Sequence, residues 1–421
     1  MDEEGTRREA IAMLQRGISI TEICATLGRT RRWLSKWRGR VAAEGEASLR
    51  GRSRAPRRRP RATPQRIVRA VLAARDRLAR RRGRQRFAGR GADAVAWELE
   101  LERVRPMPAR RTIERILERA GRTARPRAAA AHERSGGPYP YPRASSAGDL
   151  QETDMVGPRH LRTARGPVRF FDFHTVDVAG GGAATEQRPD KSAESFCGHL
   201  IECAWPKLGL PRIWQVDNES AIAGFPAAGR VFTQPVRLAL LLGVEVRFIP
   251  MGEPGRNADI ESFNALWQER VLRRFDTPGL AQLARMSDRF ERWFMDERPH
   301  PKLSVATQGT RFPGALLASL DGELRRIPSG FSLGAYRDAQ GELRLPLARG
   351  RISWVRRVDE DGELRIIDHR LRLRRAANEY VIATLATGRG ELTIQLDGRI
   401  IATYRHPVGE KVIRPLVGRG R

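Results

Sequence analysis

Residues 216–264 begin VDNESAI (216–222) and end PGRNADIESFN (254–264). The first motif reads as the end of a short strand that delivers Asp217. The second reads as a helix opening just after Pro254-Gly255, with Glu261 near its start. Between them lie a helical run and a short strand in which Val244, Val246 and Phe248 alternate. A third acid, Asp154 in DLQETDMVG (149–157), also ends a strand-like run. Three acids on separate elements repel one another wherever a fold gathers them, unless cations neutralise the set. Divalent metal is the natural partner.

Outward from this stretch the chain alternates. Residues 168–178 (VRFFDFHTVDV) predict a central strand, and Gly180 to Gly182 a turn. Residues 192–205 predict a helix with Cys197 in the core, Ile213 to Val216 a strand, and Thr233 the cap of a helix to Leu242. Ile260, Phe263, Trp267 and Val271 form one helical stripe that leaves Glu261 on its flank. Arg270, Arg273 and Arg274 follow as candidate phosphate contacts. This α/β region spans 148–318.

Residues 1–45 predict an all-α unit of three short helices. Ile11 and Leu14, then Ile20, Ile23 and Leu27, then Trp33, Leu34 and Trp37 supply the apolar faces, and Gly28 stands at the tight turn of a helix-turn-helix. Arg29, Arg31, Arg32, Lys36 and Arg38 on or beside the third helix are candidate DNA contacts. An Arg/Pro-rich linker (46–63) leads to a second helical unit (64–121). There Ile113, Ile116 and Leu117 form a buried stripe, and Arg110, Arg111 and Arg115 remain outside as further DNA contacts. A second linker covers 122–147. In 319–421, Asp361-Gly362 and Asp397-Gly398 sit between alternating apolar runs, the hairpin signal, and predict a small all-β barrel.

Composition agrees with a nucleic-acid partner. Lys and Arg number 78 against 49 Asp and Glu, a net charge of +29. GC-rich coding explains the preference for Arg over Lys but not the excess over acids. No apolar run approaches the ~20 residues that span a bilayer, and no secretory signal opens the chain. The three cysteines form no Cys-x-x-Cys pair, which argues against a disulfide scaffold or a zinc site and for a reduced, cytoplasmic setting.

The motifs QETD (151–154), WQVDNESA (214–221), GRNADIESFNALWQE (255–269) and DERPHPKL (296–303) resemble the catalytic core of bacterial insertion-sequence transposases of the integrase type. The resemblance covers roughly 148–318. It implies a ribonuclease-H-like fold with a mixed sheet, and Asp154, Asp217 and Glu261 as catalytic metal ligands. It also implies two Mg²⁺ ions, replaceable by Mn²⁺, and a homo-oligomer acting on the duplex DNA of element ends and target by cleavage and strand transfer. Two departures stand out. Glu219 occupies a place where such enzymes usually have Gly, and 43 residues separate Asp217 from Glu261, the extra length falling in AGFPAAGRVFTQP (223–235). His300 in the RPH motif reads as structural. Asp172 and Asp177 compete with Asp154 but fit the motif less well. The rival readings are a DNA-binding regulator that has lost activity and a nuclease of the same fold without strand transfer.

Overall fold

The computed structural model describes residues 2–50, 62–80, 87–123, 139–164, 166–223, 232–275, 277–366 and 369–406. Most of the Arg/Pro linker, of the second linker and of the 223–235 loop lies outside them. Two units emerge, Met1–Gln65 and Arg66–Arg421.

The first unit consists of α1 (Glu3–Gln15), α2 (Ile20–Leu27) and α3 (Arg31–Glu44). Each helix starts on a side-chain cap: Asp2 accepts from the Gly5 N–H, Ser19 from Glu22 and Thr30 from Trp33. Gly28 ends α2 with φ +61°, a conformation that glycine adopts without steric cost. Ala10, Met13, Ile23 and Leu34 form one buried cluster, and Ile11, Trp37 and Leu49 another.

The second unit opens with α4 (Gln65–Arg80), α5 (Ala92–Leu101) and α6 (Arg110–Arg119), packed through Ile67, Val71, Val95, Leu99, Ile113 and Leu117. The sheet of this unit begins with β1 (Leu150–Thr163), β2 (Gly166–Asp177) and β3 (Ala183–Arg188), followed by β4 (Ile213–Val216) and β5 (Glu245–Phe248). These five lie in the order β5-β4-β1-β2-β3, with β4 and β5 parallel to β1, while β2 runs antiparallel to β1 and β3 antiparallel to β2. The expected mixed sheet of the core is therefore present. Thr233 stands at the start of the helix Gln234–Leu241, but its hydroxyl donates to the Ile222 carbonyl at 2.6 Å and makes no cap bond.

The expected free-standing C-terminal barrel is not what the described residues form. β6 (Arg351–Arg357) pairs in parallel with β5, Val246 opposite Ile352 and Phe248 opposite Trp354, and the last two rings stack at 5.9 Å. β9 (Tyr380–Ala386), β10 (Glu391–Leu396) and β11 (Arg399–Arg405) then extend the same sheet to nine strands. The reason is the edge of β5. An apolar strand with an open edge would leave a row of unpaired backbone groups, and β6 covers it. The Asp361-Gly362 hairpin also fails. The chain turns there, with the Gly362 N–H donating to the Asp359 carbonyl, but β6 pairs onward with β9. β7 (Glu363–Ile366) pairs instead with β8 (His369–Arg372). The Asp397-Gly398 hairpin does form, both residues having positive φ as a tight two-residue turn requires.

Beneath the helix Ala258–Trp267, its residues Ile260, Phe263 and Trp267 are buried together with Phe290, Trp293 and Phe294. Phe87 joins them, edge-on to Phe275 at 5.3 Å and to Phe290 at 5.6 Å. A chain cut after residue 318 loses β6 and uncovers Phe248. Its thermal midpoint is expected to fall by ~10 °C with self-association through the opened edge. An unchanged midpoint in a monodisperse truncated protein would contradict this account of the sheet.

Candidate functional site

The three predicted acids sit on three elements. Asp154 is on β1, directly opposite His174 of β2. Asp217 follows the last residue of β4, the neighbour of β1, and Glu261 lies in the first turn of the helix Ala258–Trp267. An open cleft of about 410 Å³ is lined by Asp154, Gly157, Glu261, Asn264 and Gln268. Gly157 shapes this wall, because a Cβ there would stand 2.6 Å from the Phe171 ring. The β1–β2 register shifts between Val156 and Arg159, just beyond Asp154, and such irregularities re-aim the strand beside them.

Electrostatics tie the three together. The Asp154 carboxyl is pushed up by burial first and by the Glu261 charge second, against hydrogen bonds from the Met155 N–H and from Asn264. Asp217 is pushed up to about 6, again chiefly by burial. The Glu219 N–H opposes the shift, and the charges of Asp154 and Glu219 add to it. Glu261 is raised by burial and then by Asp217. Each acid thus feels the charge of another of the set, second to its own burial. Asp154 and Glu261 line the cleft and Asp217 does not; carboxylate oxygens of this kind are the donors that a hard divalent ion such as Mg²⁺ or Mn²⁺ takes.

Residues that the motifs did not single out hold the acids in place. Glu152, two residues before Asp154 and almost fully buried, accepts from the Ile260 N–H at 3.0 Å and from Gln215 Nε2 at 3.3 Å. It does the work of an N-cap from another element, since the Asn257 side chain makes no cap bond and accepts from Gln215 instead. Burial pushes Glu152 up to about 7, against the hydrogen bond from Ile260. One turn beyond Glu261, Asn264 Nδ2 donates to Asp154 Oδ2 at 2.6 Å. The period-two spacing of Glu152 and Asp154 and the three-residue spacing of Glu261 and Asn264 were readable signals for both contacts. Lys191 pairs with Glu219 at 2.9 Å, a cation beside Asp217. Lys302 grips Asp259 at the start of the Glu261 helix, at 2.6 Å.

The competing acids are engaged elsewhere. Asp172 is buried against Arg159 at 2.8 Å, and Asp177 accepts from the Gly148 and Gly180 N–H groups. His300 packs over Gly181, where a Cβ would lie 2.7 Å from its ring, and burial lowers its pKa to about 4, so it stays neutral. Among the described residues, Glu186, His199 and Cys203, unlike Asp154, Asp217 and Glu261, bring ligand-type atoms within 4.8 Å of one another. Their atoms already have partners: His199 meets Thr175 at 3.0 Å and Glu186 at 3.3 Å, Glu186 meets Arg188 at 2.9 Å, and Cys203 donates to the Thr185 carbonyl.

The candidate DNA-contacting residues divide. Arg31, Arg32, Lys36 and Arg38 lie along α3, with Arg31, Arg32 and Lys36 among its outward positions and Arg31 bonded to Thr21 Oγ1 at 2.8 Å; Arg29 is paired with Glu3. Arg110, Arg111 and Arg115 are exposed on α6, and Arg110 is paired with Asp93 and Glu114. Arg273 and Arg274 follow the Glu261 helix at the surface of the core. Arg270 differs, since its side chain is 13% exposed and donates to the Ala88 carbonyl at 3.2 Å. The docking of residues 87–89 on the core turned a surface position inward.

Comparisons with known proteins fit this layout. Residues 1–50 match the family model of a homeodomain-like domain, and residues 242–307 match that of an integrase core domain, together well under half the chain. The second match includes Glu261 and its helix. No curated protein matches. Among solved structures, the chain is similar to the magnesium-bound dimeric form of the HTLV-2 integrase catalytic core domain. Identity is 13%, over 38% of this chain and 96% of that one, with a TM-score of 0.30. A simian T-cell lymphotropic virus intasome matches at 13% identity over 79% and 95%, TM-score 0.31, and the BIV integrase core at 11% over 42% and 97%, TM-score 0.30. Scores this low establish no likeness over the whole chain. The homeodomain-like and integrase-core matches themselves support an integrase-like transposase. No helix among the described residues is long and apolar enough to cross a membrane.

Asp217 gives the site a pH signature. Its folded value of about 6 lies above the ~3.9 of an unfolded chain, so folding favours the protonated acid. That contribution is complete below the unfolded value and is lost as pH rises through about 6. In metal-free protein at ~pH 7.5, Asp217→Asn is therefore expected to raise stability by about 1–3 kcal/mol, with the difference fading below ~pH 4. If Asp217 holds Mg²⁺, excess Mg²⁺ should reverse the order, because only the wild type would then gain the full binding energy. Denaturant unfolding with and without Mg²⁺ tests this; a variant less stable than wild type in the metal-free protein at that pH contradicts it.

Proposed function

We propose that this chain is a DNA transposase of the integrase type, a polynucleotidyl transferase that binds the ends of a mobile element, cuts them and joins them to target DNA. What supports the reading is the match of residues 242–307 to an integrase core domain, together with Asp154 on β1, Asp217 after β4 and Glu261 on the helix within that match, each raised first by burial and then by the charge of another. Under this reading Asp154, Asp217 and Glu261 would hold two divalent ions, which would supply Lewis-acid chemistry for attack at phosphorus and for departure of the 3′ oxygen. The chain's own residues do the positioning. Asn264 orients Asp154, Glu152 fixes the start of the Glu261 helix, and Lys191 tempers the excess negative charge beside Asp217.

In the first reaction water attacks phosphorus at the element end, the bond to the 3′ oxygen breaks, and a 3′ hydroxyl remains. In the second, that hydroxyl attacks phosphorus of a target phosphodiester at the same site, the target's P–O3′ bond breaks, and the element end is joined to the target 5′ phosphate with release of a target 3′ hydroxyl, so the two reactions share one geometry. The homeodomain-like segment with Arg31, Arg32, Lys36 and Arg38 along its third helix supports recognition of duplex DNA, and the +29 charge supports two polyanionic substrates. Holding both DNAs favours a homo-oligomer. A cytoplasmic, nucleoid-associated setting follows from the same reading.

Cleavage and strand transfer on duplexes carrying the DNA that flanks this gene should require Mg²⁺ or Mn²⁺. They should fall ~10²–10³-fold or more in Glu261→Gln, while end binding persists. Cleavage at the wild-type rate in that variant would reject the assignment. Independently, removing Lys36 or Arg32 should weaken DNA binding and reduce the slope of log K against log salt by about 1 for each phosphate no longer neutralised. An unchanged slope in both variants would remove α3 from the DNA interface.

A further inference from the structure

The loop that carries Asp217 is held from the C-terminal strands. Arg356, on β6, donates from its guanidinium to the carbonyl of its own neighbour Val355 at 2.8 Å and to two acceptors on the loops around Asp217. One Nη donates to Asn218 Oδ1 at 2.8 Å, and the other donates to the Ile249 carbonyl, also at 2.8 Å. Asn218 Nδ2 donates to that same carbonyl at 2.7 Å, closing a triangle around the residue next to Asp217. The Ile249 N–H in turn donates to the carbonyl of Val216, the residue before Asp217, at 3.0 Å. Both neighbours of the acid are thereby pinned to the end of β5, and Arg356 is the charged member of the network.

A second contact runs in parallel. Arg256, just ahead of the Glu261 helix, donates to Tyr380 Oη of β9 at 3.1 Å, while Tyr380 donates to Glu253 at 2.8 Å. Two strands beyond the predicted core boundary therefore reach the loops that present two of the three acids.

We propose that Arg356 is a positioning residue for Asp217, so that β6, outside the expected core, completes the metal-holding site. The inference rests on the reading of Asp217 as a metal ligand. Its physical basis is the network that holds both neighbours of Asp217: Ile249 bonds Val216 and Asn218, and Arg356 bonds Asn218 and the Ile249 carbonyl. A side chain keeps its place only if its backbone is held, and a planar guanidinium fork holds two acceptors at fixed separation. A lysine ammonium is a point charge that reproduces one of the two bonds with less geometric control. Removing a hydrogen bond that supports a metal ligand typically costs ~10–100-fold in metal affinity.

The test is Mn²⁺ affinity of the full-length protein, measured by electron paramagnetic resonance without DNA, for wild type, Asp217→Asn, Arg356→Ala, Arg356→Lys and Asn218→Ala. Arg356→Ala is expected to weaken Mn²⁺ binding ~10–100-fold, with partial recovery in Arg356→Lys and on adding free guanidinium. Asn218→Ala should weaken it likewise, and the double variant should lose less than the sum of the two. If Arg356→Ala does not fold, the Asn218→Ala and Arg356→Lys measurements decide. Asp217→Asn weakening Mn²⁺ while all Arg356 and Asn218 variants bind as wild type would overturn the positioning role and leave the ligand reading intact. Unchanged affinity in Asp217→Asn would instead overturn the ligand reading, and the inference with it.

Discussion

Burial of carboxylates that feel one another's charge, Asp154, Asp217 and Glu261, is the constraint on which the candidate site depends. Burial disfavours the charged form of each first, and the neighbouring charges add to that cost. The surrounding structure has to supply what the acids do not, which is rigidity. β1 supplies it to Asp154 by pairing on both sides, with β2 and β4, while the Asp217 loop is tied to the end of β5. The buried aromatic stripe of Phe263 and Trp267 fixes the rotation of the Glu261 helix. Under the proposed function a bound cation would offset the penalty that this scaffold carries.

Glu152 links these elements most economically. Its carboxylate lies on the same strand as Asp154 and accepts from an N-terminal N–H of the helix that bears Glu261, so a single buried side chain sets the distance between two of the acids. A negative group at a helix N-terminus is favoured by the unsatisfied donors and the helix dipole, which compensates its burial. The tyrosine and arginine contacts around Arg256 and the fork of Arg356 act on the other approaches to the cleft. The supports of the candidate site thus reach β6 and β9 of the nine-stranded sheet and are not confined to the five strands of the expected core.

Much of this was legible in the sequence because the signals were local. A short strand ending at Val216, a helix opening after Pro254-Gly255, and the tight Asp397-Gly398 turn each depend on neighbours in the chain. The homeodomain-like unit, with Gly28 in a left-handed turn and caps at Ser19 and Thr30, was readable for the same reason. What escaped was nonlocal. The alternation of residues 351–357 marks a strand but not its partner, and pairing with β5, about a hundred residues away, decided that a sheet extension forms in place of the expected barrel. Arg270 looked like a surface cation until Phe87 and its neighbours covered it, and Thr233 spent its hydroxyl on Ile222 rather than on its own helix. Asp172 and Asp177, the poorer fits to the motif, show their own engagements only in the structure, with an arginine and with two backbone N–H groups.

The most direct test of the central claim is anomalous diffraction from crystals of the full-length protein soaked in Mn²⁺. Manganese is predicted between Asp154, Asp217 and Glu261, with the peak lost or displaced in Asp217→Asn crystals. Manganese found instead at Glu186, His199 and Cys203, with the three carboxylates empty at saturating metal, would contradict it.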